Sequence, residues 1–204
     1  MIQQLFPSYI YSQKYNSKKL NLKDIEKECY QIKAFDKPGQ KWSEKNYLGG
    51  YTSYSSIDQL HEFSSTFLDI KKWIDKQVIK YADHLEMDLS AGELRMSNFW
   101  LNIMPPQVVH TMHIHPLSTI SGTFYVKTPP HCSVLKFEDS RLAYHMASPP
   151  RKPNARPENQ RFINYQPQAG SLVLFESWMR HEVPANPAKT DRISISFNYD
   201  WYRC

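Results

Sequence analysis

Three histidines of this chain have the side-chain type and the spacing of metal ligands. His113 and His115 flank a single isoleucine, and His181 follows far downstream. In an extended strand alternate side chains point to the same side, so the first two imidazoles can meet one cation. A third imidazole from a distant strand would complete the site. This set of donors is typical of a mononuclear iron centre.

A second pair of residues indicates a site for an acid. Arg192 and Ser194 lie two residues apart and would share one face of a strand. A guanidinium can bind a carboxylate through two parallel hydrogen bonds, so the pair suits a co-substrate that carries a carboxylate. The structural alternative is that Arg192 forms an ion pair with Asp191 or Glu182.

The second half of the chain, from about residue 95, reads as a series of strands. It consists of short runs of β-branched and aromatic residues interrupted by Pro, Gly and Asn. About eight strands is the count of a jelly roll built from two facing sheets, so we expect a mainly β fold. The predicted strands are Met96 to Met104, Gln107 to Ile114, Gly122 to Lys127, Ser133 to Phe137, Arg161 to Tyr165, Ser171 to Glu176, His181 to Pro184 and Arg192 to Tyr199.

The last of these strands has the clearest alternation. One side carries only polar residues, which are Arg192, Ser194, Ser196 and Asn198, and the other carries only apolar and aromatic ones. A surface strand would more often show Lys, Glu or Thr. We therefore predict that the polar side lines a cavity.

The first half of the chain predicts two supporting helices. Leu22, Ile25, Cys29 and Ile32 recur at helical spacing behind Asn21, a plausible N-cap, and a second apolar series from Ile70 to Leu85 follows the cluster of hydroxyl residues at 64–66. The intervening segment from Ala34 to Ser56 has no clear period, and we expect an irregular loop there. At 204 residues, we expect one domain in which residues 1–95 pack on a jelly roll formed by residues 96–204.

The segment from Ala143 to Gln160 is a candidate lid over the cavity. It contains four prolines and several basic residues, and it is too long and too polar for a turn inside a core.

Composition excludes several classes of protein. The formal charge is +5 and the pI is about 9.0, but no basic run is interleaved with aromatics, so we do not expect nucleic acid as a partner. Three scattered cysteines argue against a disulfide framework, and neither a signal peptide nor a membrane-spanning run is evident. We expect a cytoplasmic protein. Exposed aromatics between Tyr47 and Tyr54 would suit the contact of a homodimer.

Four motifs in order resemble a known superfamily. They are His113-Ile114-His115-Pro116, the segment from Ser121 to Val126, the segment from Ser177 to Pro184, and the segment from Arg192 to Asn198. Together they are similar to the iron(II)- and 2-oxoglutarate-dependent oxygenases of the double-stranded β-helix superfamily, in particular to a bacterial and phage branch. The resemblance covers roughly residues 95–204 and the first half only in general layout.

The resemblance implies a role for each of these residues. The iron ligands would be His113, His115 and His181, and the distal carboxylate of 2-oxoglutarate would bind Arg192 and Ser194. A tyrosine on the strand after the first motif often helps, which points to Tyr125, although a place in the core is the simpler interpretation of that residue. The implied reaction uses molecular oxygen to convert 2-oxoglutarate to succinate and to hydroxylate a small molecule or a peptide side chain, with the metal and co-substrate carrying the chemistry.

One residue departs from the usual pattern of the superfamily. The first motif is usually His-x-Asp, and His115 stands in place of the carboxylate, which leaves the iron centre one unit more positive. A carboxylate could still come from Glu138, Asp139 or Glu176, and His110 could replace one of the named histidines from the opposite face of its strand. Two alternative functions remain open, a three-histidine cupin dioxygenase that does not use 2-oxoglutarate and a non-enzymatic metal-binding jelly roll.

Overall fold

The described residues form ten strands and three α-helices. The computed structural model describes residues 1–16, 21–141 and 147–203. The helices are α1 (Leu22–Phe35), α2 (Lys37–Asn46) and α3 (Ser65–His84). The strands are β1 (Ile10–Lys14), β2 (Tyr51–Thr52), β3 (Gly92–Met104), β4 (His110–His113), β5 (Ile120–Lys127), β6 (Leu135–Glu138), β7 (Phe162–Tyr165), β8 (Ser171–Glu176), β9 (His181–Val183) and β10 (Arg192–Arg203).

The strands form two antiparallel sheets that face each other. The larger sheet has the order β1-β8-β5-β10-β3-β2, and the smaller has the order β4-β9-β6-β7. Tyr125 and Phe175 of the larger sheet share one apolar cluster with Phe137 and Val183 of the smaller sheet. This arrangement is the predicted jelly roll, and each of the eight strands expected after residue 95 is present within a few residues of its predicted bounds.

The opposite face of the larger sheet is covered by helices. Phe124 and Leu172 point to this side and pack with Ile74 and Val78 of α3 and with Ile25 of α1 in one buried cluster. Successive residues of a strand point to opposite faces, so Phe124 contacts the helices whereas Tyr125 faces the other sheet. The helices therefore support the face of the larger sheet that points away from the smaller sheet. The space between the two sheets is left for the candidate site.

The first predicted helix begins at its predicted cap, and the second begins within the hydroxyl cluster at 64–66 that precedes its apolar series. The side chain of Asn21 accepts a hydrogen bond from the backbone N–H of Lys23 at 3.1 Å, and the side chain of Ser64 accepts one from Phe67 at 3.4 Å. Within the described residues, no helix has the length and apolar character needed to span a bilayer.

The prediction of an irregular loop from Ala34 to Ser56 is wrong. The segment contains α2 and β2, and the helix begins where Asp36 accepts a hydrogen bond from the backbone N–H of Gly39 at 3.0 Å. Its core-facing positions include the small residues Gly39 and Ser43, so no apolar period marks it. Tyr47 and Tyr51 are buried rather than exposed, which removes most of the aromatic surface on which a dimer contact was expected.

Two strands of the first half were not predicted. β1 pairs with β8 at one edge of the larger sheet, and β2 pairs with β3 at the other edge. The first 95 residues are thus not only helical.

Part of the proposed lid lies outside the described residues, namely residues 143–146, which include His145; Cys204 lies outside them as well. Much of the rest of the proposed lid is exposed.

Candidate metal centre and co-substrate pocket

The three predicted ligand histidines converge at one end of the space between the sheets. His113 ends β4 and His181 begins β9, where the two residues are paired in register. His115 lies two residues beyond β4, and its backbone N–H donates to the carbonyl of Ser177 at 3.0 Å. One ring nitrogen from each histidine lies within 4.8 Å of the other two. We call these three residues the histidine triad.

Hydrogen bonds on the far side of each ring set which nitrogen faces the centre of the triad. The Nδ1 atoms of His113 and His181 lie 2.7 Å and 2.8 Å from the backbone carbonyls of Thr111 and Met179. A carbonyl can only accept, so Nδ1 carries the proton and Nε2 presents a lone pair. The Nε2 atoms of His113 and His115 face each other at 3.2 Å. Converging lone pairs of this kind are the arrangement that a bound cation needs.

Burial keeps the triad neutral. Desolvation lowers the pKa of His115 to about 4 and that of His181 to about 2, and it also lowers the pKa of His113. The neighbouring imidazoles add to the effect on His115 and His181. Metal ions bind only the neutral form of histidine, so the rings can accept a metal near pH 7 without releasing protons.

No carboxylate joins the triad among the residues that the structure describes. Both oxygens of Glu138 are engaged, one by Arg161 at 3.1 Å and the other by Arg180 at 2.9 Å. Asp139 and Glu176, the other two alternatives, also lie outside the cluster of candidate ligands. The geometry thus favours a centre with three imidazoles over one with a carboxylate.

Arg192 lies in the same pocket and is 3% exposed. Its Nη1 donates to Ser194 at 3.4 Å, and its guanidinium lies over the ring of Tyr125 with 5.1 Å from Cζ to the ring centroid. Within the described ranges, neither the Nε of Arg192 nor the hydroxyl of Tyr125 makes a hydrogen bond of normal geometry. Unsatisfied buried donors of this kind are rare, and they suit a ligand with carboxylate oxygens.

The ion pairs considered for Arg192 do not form. Asp191 accepts a hydrogen bond from Tyr30 at 2.7 Å, and Glu182 pairs with Lys136 at 2.8 Å. The guanidinium is therefore free to meet an acid that enters the pocket.

The pocket that joins the triad to Arg192 encloses about 510 Å³ of space, part of it open to solvent. Its walls include the polar side of β10, namely Arg192, Ser194 and Ser196, as the alternation predicted. Trp100 lines the pocket, whereas Trp178, three residues before His181, is 44% exposed.

The predicted position of His110 is wrong, and the place of Tyr47 in the pocket was not predicted. A bulge between His110 and His113 brings the two rings onto one side, where they stack at 4.5 Å with 16° between their planes, so the expectation that His110 lies on the opposite face is wrong. Burial lowers the pKa of His110 to about 3. Tyr47, the residue directly after α2, lies 5.4 Å from His110 between ring centroids, and burial raises the pKa of its hydroxyl to about 12. No motif in the sequence signals this contact.

Comparison with known proteins agrees with this geometry. Residues 98–198 match the model of the family described as "Putative 2OG-Fe(II) oxygenase". This strand-rich region belongs to the iron(II)- and 2-oxoglutarate-dependent oxygenases. The matched residues contain the whole histidine triad, Tyr125, Arg192 and Ser194. The cofactor of this oxygenase is therefore iron(II) and its co-substrate is 2-oxoglutarate. None of the curated proteins matches the sequence significantly.

Solved structures share the fold of this oxygenase. A prolyl-4-hydroxylase from Pseudomonas putida aligns with a TM-score of 0.60 at 15% identity, over 95% of this chain and 92% of that chain. HygX from Streptomyces hygroscopicus, with nickel, 2-oxoglutarate and hygromycin B bound, aligns with a TM-score of 0.59 at 12% identity, over 95% and 83% of the two chains. This oxygenase spans about half (47%) of an oxidoreductase of the 2OG-Fe(II) oxygenase family from Burkholderia pseudomallei, over 54% of its own chain, at 16% identity and a TM-score of 0.41.

Proposed function

We propose that this oxygenase hydroxylates a C–H bond of a small molecule or of a peptide side chain. In this proposal the iron ligands are His113, His115 and His181. The residues that bind 2-oxoglutarate are Arg192, Ser194 and Tyr125. The observation that carries the proposal is that a buried guanidinium, with no carboxylate paired to it among the described residues, shares one pocket with three converging imidazoles.

Each part of the pocket has a distinct task in this proposal. Bound iron, with 2-oxoglutarate and molecular oxygen, supplies the oxidising chemistry. The triad occupies three positions around the metal and leaves the others for the keto acid and oxygen. Arg192 and Ser194 orient the co-substrate by its distal carboxylate, and the hydroxyl of Tyr125 gains the partner that it lacks. Leu135, Phe175 and Val183 give the walls apolar surface that excludes water.

Both substrate classes in the proposal have support among proteins of the same fold. One is a prolyl-4-hydroxylase, and another binds hygromycin B, a small molecule. Trp100, Tyr47 and His110 line the pocket without a role in binding the metal or the keto acid, so they are candidates for substrate contact. A cytoplasmic location and a homodimer stay predictions, and so does the expectation that nucleic acid is not a partner.

Uncoupled turnover tests the proposal without knowledge of the substrate. Purified protein is incubated with iron(II), ascorbate and 2-oxoglutarate, and succinate is measured by mass spectrometry. We expect slow, oxygen-dependent release of succinate that disappears in the His181→Ala variant. In the absence of oxygen, iron(II) and 2-oxoglutarate together should give a visible charge-transfer band.

The alternatives predict different results in the same experiment. Iron binding without the charge-transfer band and without succinate would contradict the proposal and favour a three-histidine dioxygenase that does not use 2-oxoglutarate. Failure to bind iron would contradict both enzymatic functions.

A further inference from the structure

His115 differs from the other two residues of the triad in what holds its ring. His113 and His181 donate to backbone carbonyls, which can only accept, whereas the Nδ1 of His115 lies 2.5 Å from the side-chain oxygen Oδ1 of Asn198. A side-chain amide can present either its oxygen or its NH2 group. Only the oxygen places the proton of His115 on Nδ1 and leaves Nε2 bare for a metal. The orientation of Asn198 therefore decides whether His115 can be a ligand.

Asn198 is part of a polar row that crosses three strands. It is paired in register with Asn98 on β3 and with Ser121 on β5. The Nδ2 of Asn198 donates to the Oδ1 of Asn98 at 3.4 Å, and the Nδ2 of Asn98 donates to the carboxylate of Asp58 at 2.9 Å. The backbone carbonyl of Asp58 accepts from Phe99 at 2.6 Å, which fixes this half-buried residue beside β3. A continuous chain of hydrogen bonds thus connects Asp58 to the histidine triad.

The carboxylate at the end of this chain gives it one direction. A carboxylate can only accept, so Asn98 must turn its NH2 group towards Asp58 and its oxygen towards Asn198. Asn198 must then offer its NH2 group to Asn98 and its oxygen to His115. His115 must donate from Nδ1, and its Nε2 is left with a lone pair. The acceptor character of one carboxylate is in this way transmitted through two amides to a metal ligand.

Two buried serines agree with this direction. Ser121 donates to the Oδ1 of Asn198 at 2.9 Å, and its oxygen lies 2.7 Å from that of Ser177, which can donate to it. The oxygen of Asn198 thus accepts from Ser121 and from His115. The hydroxyl of Ser121 also lies 3.0 Å from the Nδ1 of His115. Because a serine hydroxyl can donate or accept, the two serines are compatible with this direction, and the carboxylate of Asp58 is the group that sets it.

We propose that Asp58, acting through Asn98 and Asn198, fixes the tautomer of His115 that binds iron and supplies negative charge behind a ligand that replaces a carboxylate. The three are positioning residues, and the inference rests on the proposed iron site. Loss of hydrogen-bond partners behind a metal ligand typically weakens metal binding by about 10- to 100-fold. Because the charge lies two amides away, we expect Asp58→Ala to fall near the lower end of this range and Asn198→Leu near the upper end.

The tautomer can be measured without metal. Metal-free protein with ¹⁵N-labelled histidine gives long-range ¹H–¹⁵N correlations that distinguish protonation of Nδ1 from protonation of Nε2, and the signals of His115 are identified by their loss in His115→Gln. We expect only the Nδ1-protonated form in the wild type and a mixture of both forms in Asp58→Ala. The exchanged pair Asp58→Asn with Asn98→Asp keeps an acceptor-only group in the chain and should restore the single form.

The matched control is Asp75→Ala. Asp75 is also half-buried and accepts a hydrogen bond from β10, through Tyr199, but on the opposite face of the sheet. This variant should lose stability without any change in the tautomer of His115. A wild-type pattern in both Asp58→Ala and Asn198→Leu would overturn the inference.

Nickel(II) titration followed by calorimetry separates this inference from the proposed function. If the wild type fails to bind nickel(II) or iron(II), the proposed function is wrong, whatever the tautomer of His115. If the wild type binds nickel(II) and Asp58→Ala binds it equally well with an unchanged tautomer, the inference is wrong and the proposed iron site stands.

Discussion

Replacement of Arg192 by methionine should weaken binding of 2-oxoglutarate and at the same time stabilise the protein without ligand. Methionine has a similar length and no charge. Removal of one partner of a buried charge pair costs about 2–5 kcal/mol. A loss of about 3 kcal/mol corresponds to an increase of roughly a hundredfold in Kd. Calorimetry with manganese(II)-loaded protein measures this change.

The gain in stability follows from the state of the guanidinium in the folded protein. Arg192 is 3% exposed, and its Nε lacks a partner in the described part of the chain, a situation that costs about 3 kcal/mol for a charged group. Its contact with the ring of Tyr125 at 5.1 Å offsets about 2 kcal/mol of this cost, because both groups are desolvated. The variant should therefore be more stable by about 1 kcal/mol, or roughly 2–4 °C in Tm by calorimetry.

The control for this prediction is Arg95→Met. Arg95 is exposed, pairs with the exposed Glu93 and, like Arg192, lies 5.1 Å from the centroid of a tyrosine ring, that of Tyr202. Exposed ion pairs contribute little, so the affinity for 2-oxoglutarate should not change and Tm should not rise. An Arg192→Met protein that binds 2-oxoglutarate as the wild type does, or that loses several kcal/mol of stability, would refute this reasoning and indicate a structural role for the arginine.

Three further predictions concern the triad and its support. His181→Ala should abolish binding of nickel(II) in calorimetry while far-UV circular dichroism stays unchanged, and retained binding would place the metal elsewhere. The pKa values of the triad and of His110 are lowered in the fold, so the metal-free folded protein binds fewer protons than the unfolded chain below about pH 6.5. The free energy of unfolding should be constant above pH 7 and fall from pH 6.5 towards pH 4, by about 1.4 kcal/mol per pH unit for each histidine. Urea midpoints that do not vary over this window would contradict the burial of the rings. Gly122→Ala should destabilise by about 1–3 kcal/mol in urea titrations, because the new Cβ would lie 2.5 Å from the carbonyl of Val173 and 2.6 Å from the ring of Phe197; a neutral effect would mean that β5 can move away from its neighbours.

Features that depend on residues close in sequence could be predicted. Alternation along β10 predicted three side chains that line the pocket, namely Arg192, Ser194 and Ser196. The cap at Asn21 and the hydroxyl cluster at 64–66 predicted where two helices begin. Both signals are local, because a strand repeats every two residues and a cap bonds within three. α2 escaped prediction since its buried positions carry small residues that leave no apolar period.

Features that depend on irregular backbone or on distant partners could not be predicted. His110 joins the pocket only because a bulge within β4 shifts the alternation. Tyr47 reaches it only because α2 is held against β2, where the hydroxyl of Ser43 bonds the backbone of Thr52. The choice of His115 over a carboxylate rests likewise on Arg161 and Arg180, which occupy the oxygens of Glu138.

The sequence alone determined the chemistry available to this protein, namely three imidazoles, a guanidinium with a hydroxyl two residues away, and strands to carry them. The tertiary structure decided which of these groups meet and in what protonation state. The physical reason is the separation in sequence between the residues that determine each feature, because residue types and strand periods are encoded within a few neighbouring positions. The pairing of β4 with β9, the burial that keeps the rings neutral, and the row from Asp58 to His115 arise only when distant segments pack together.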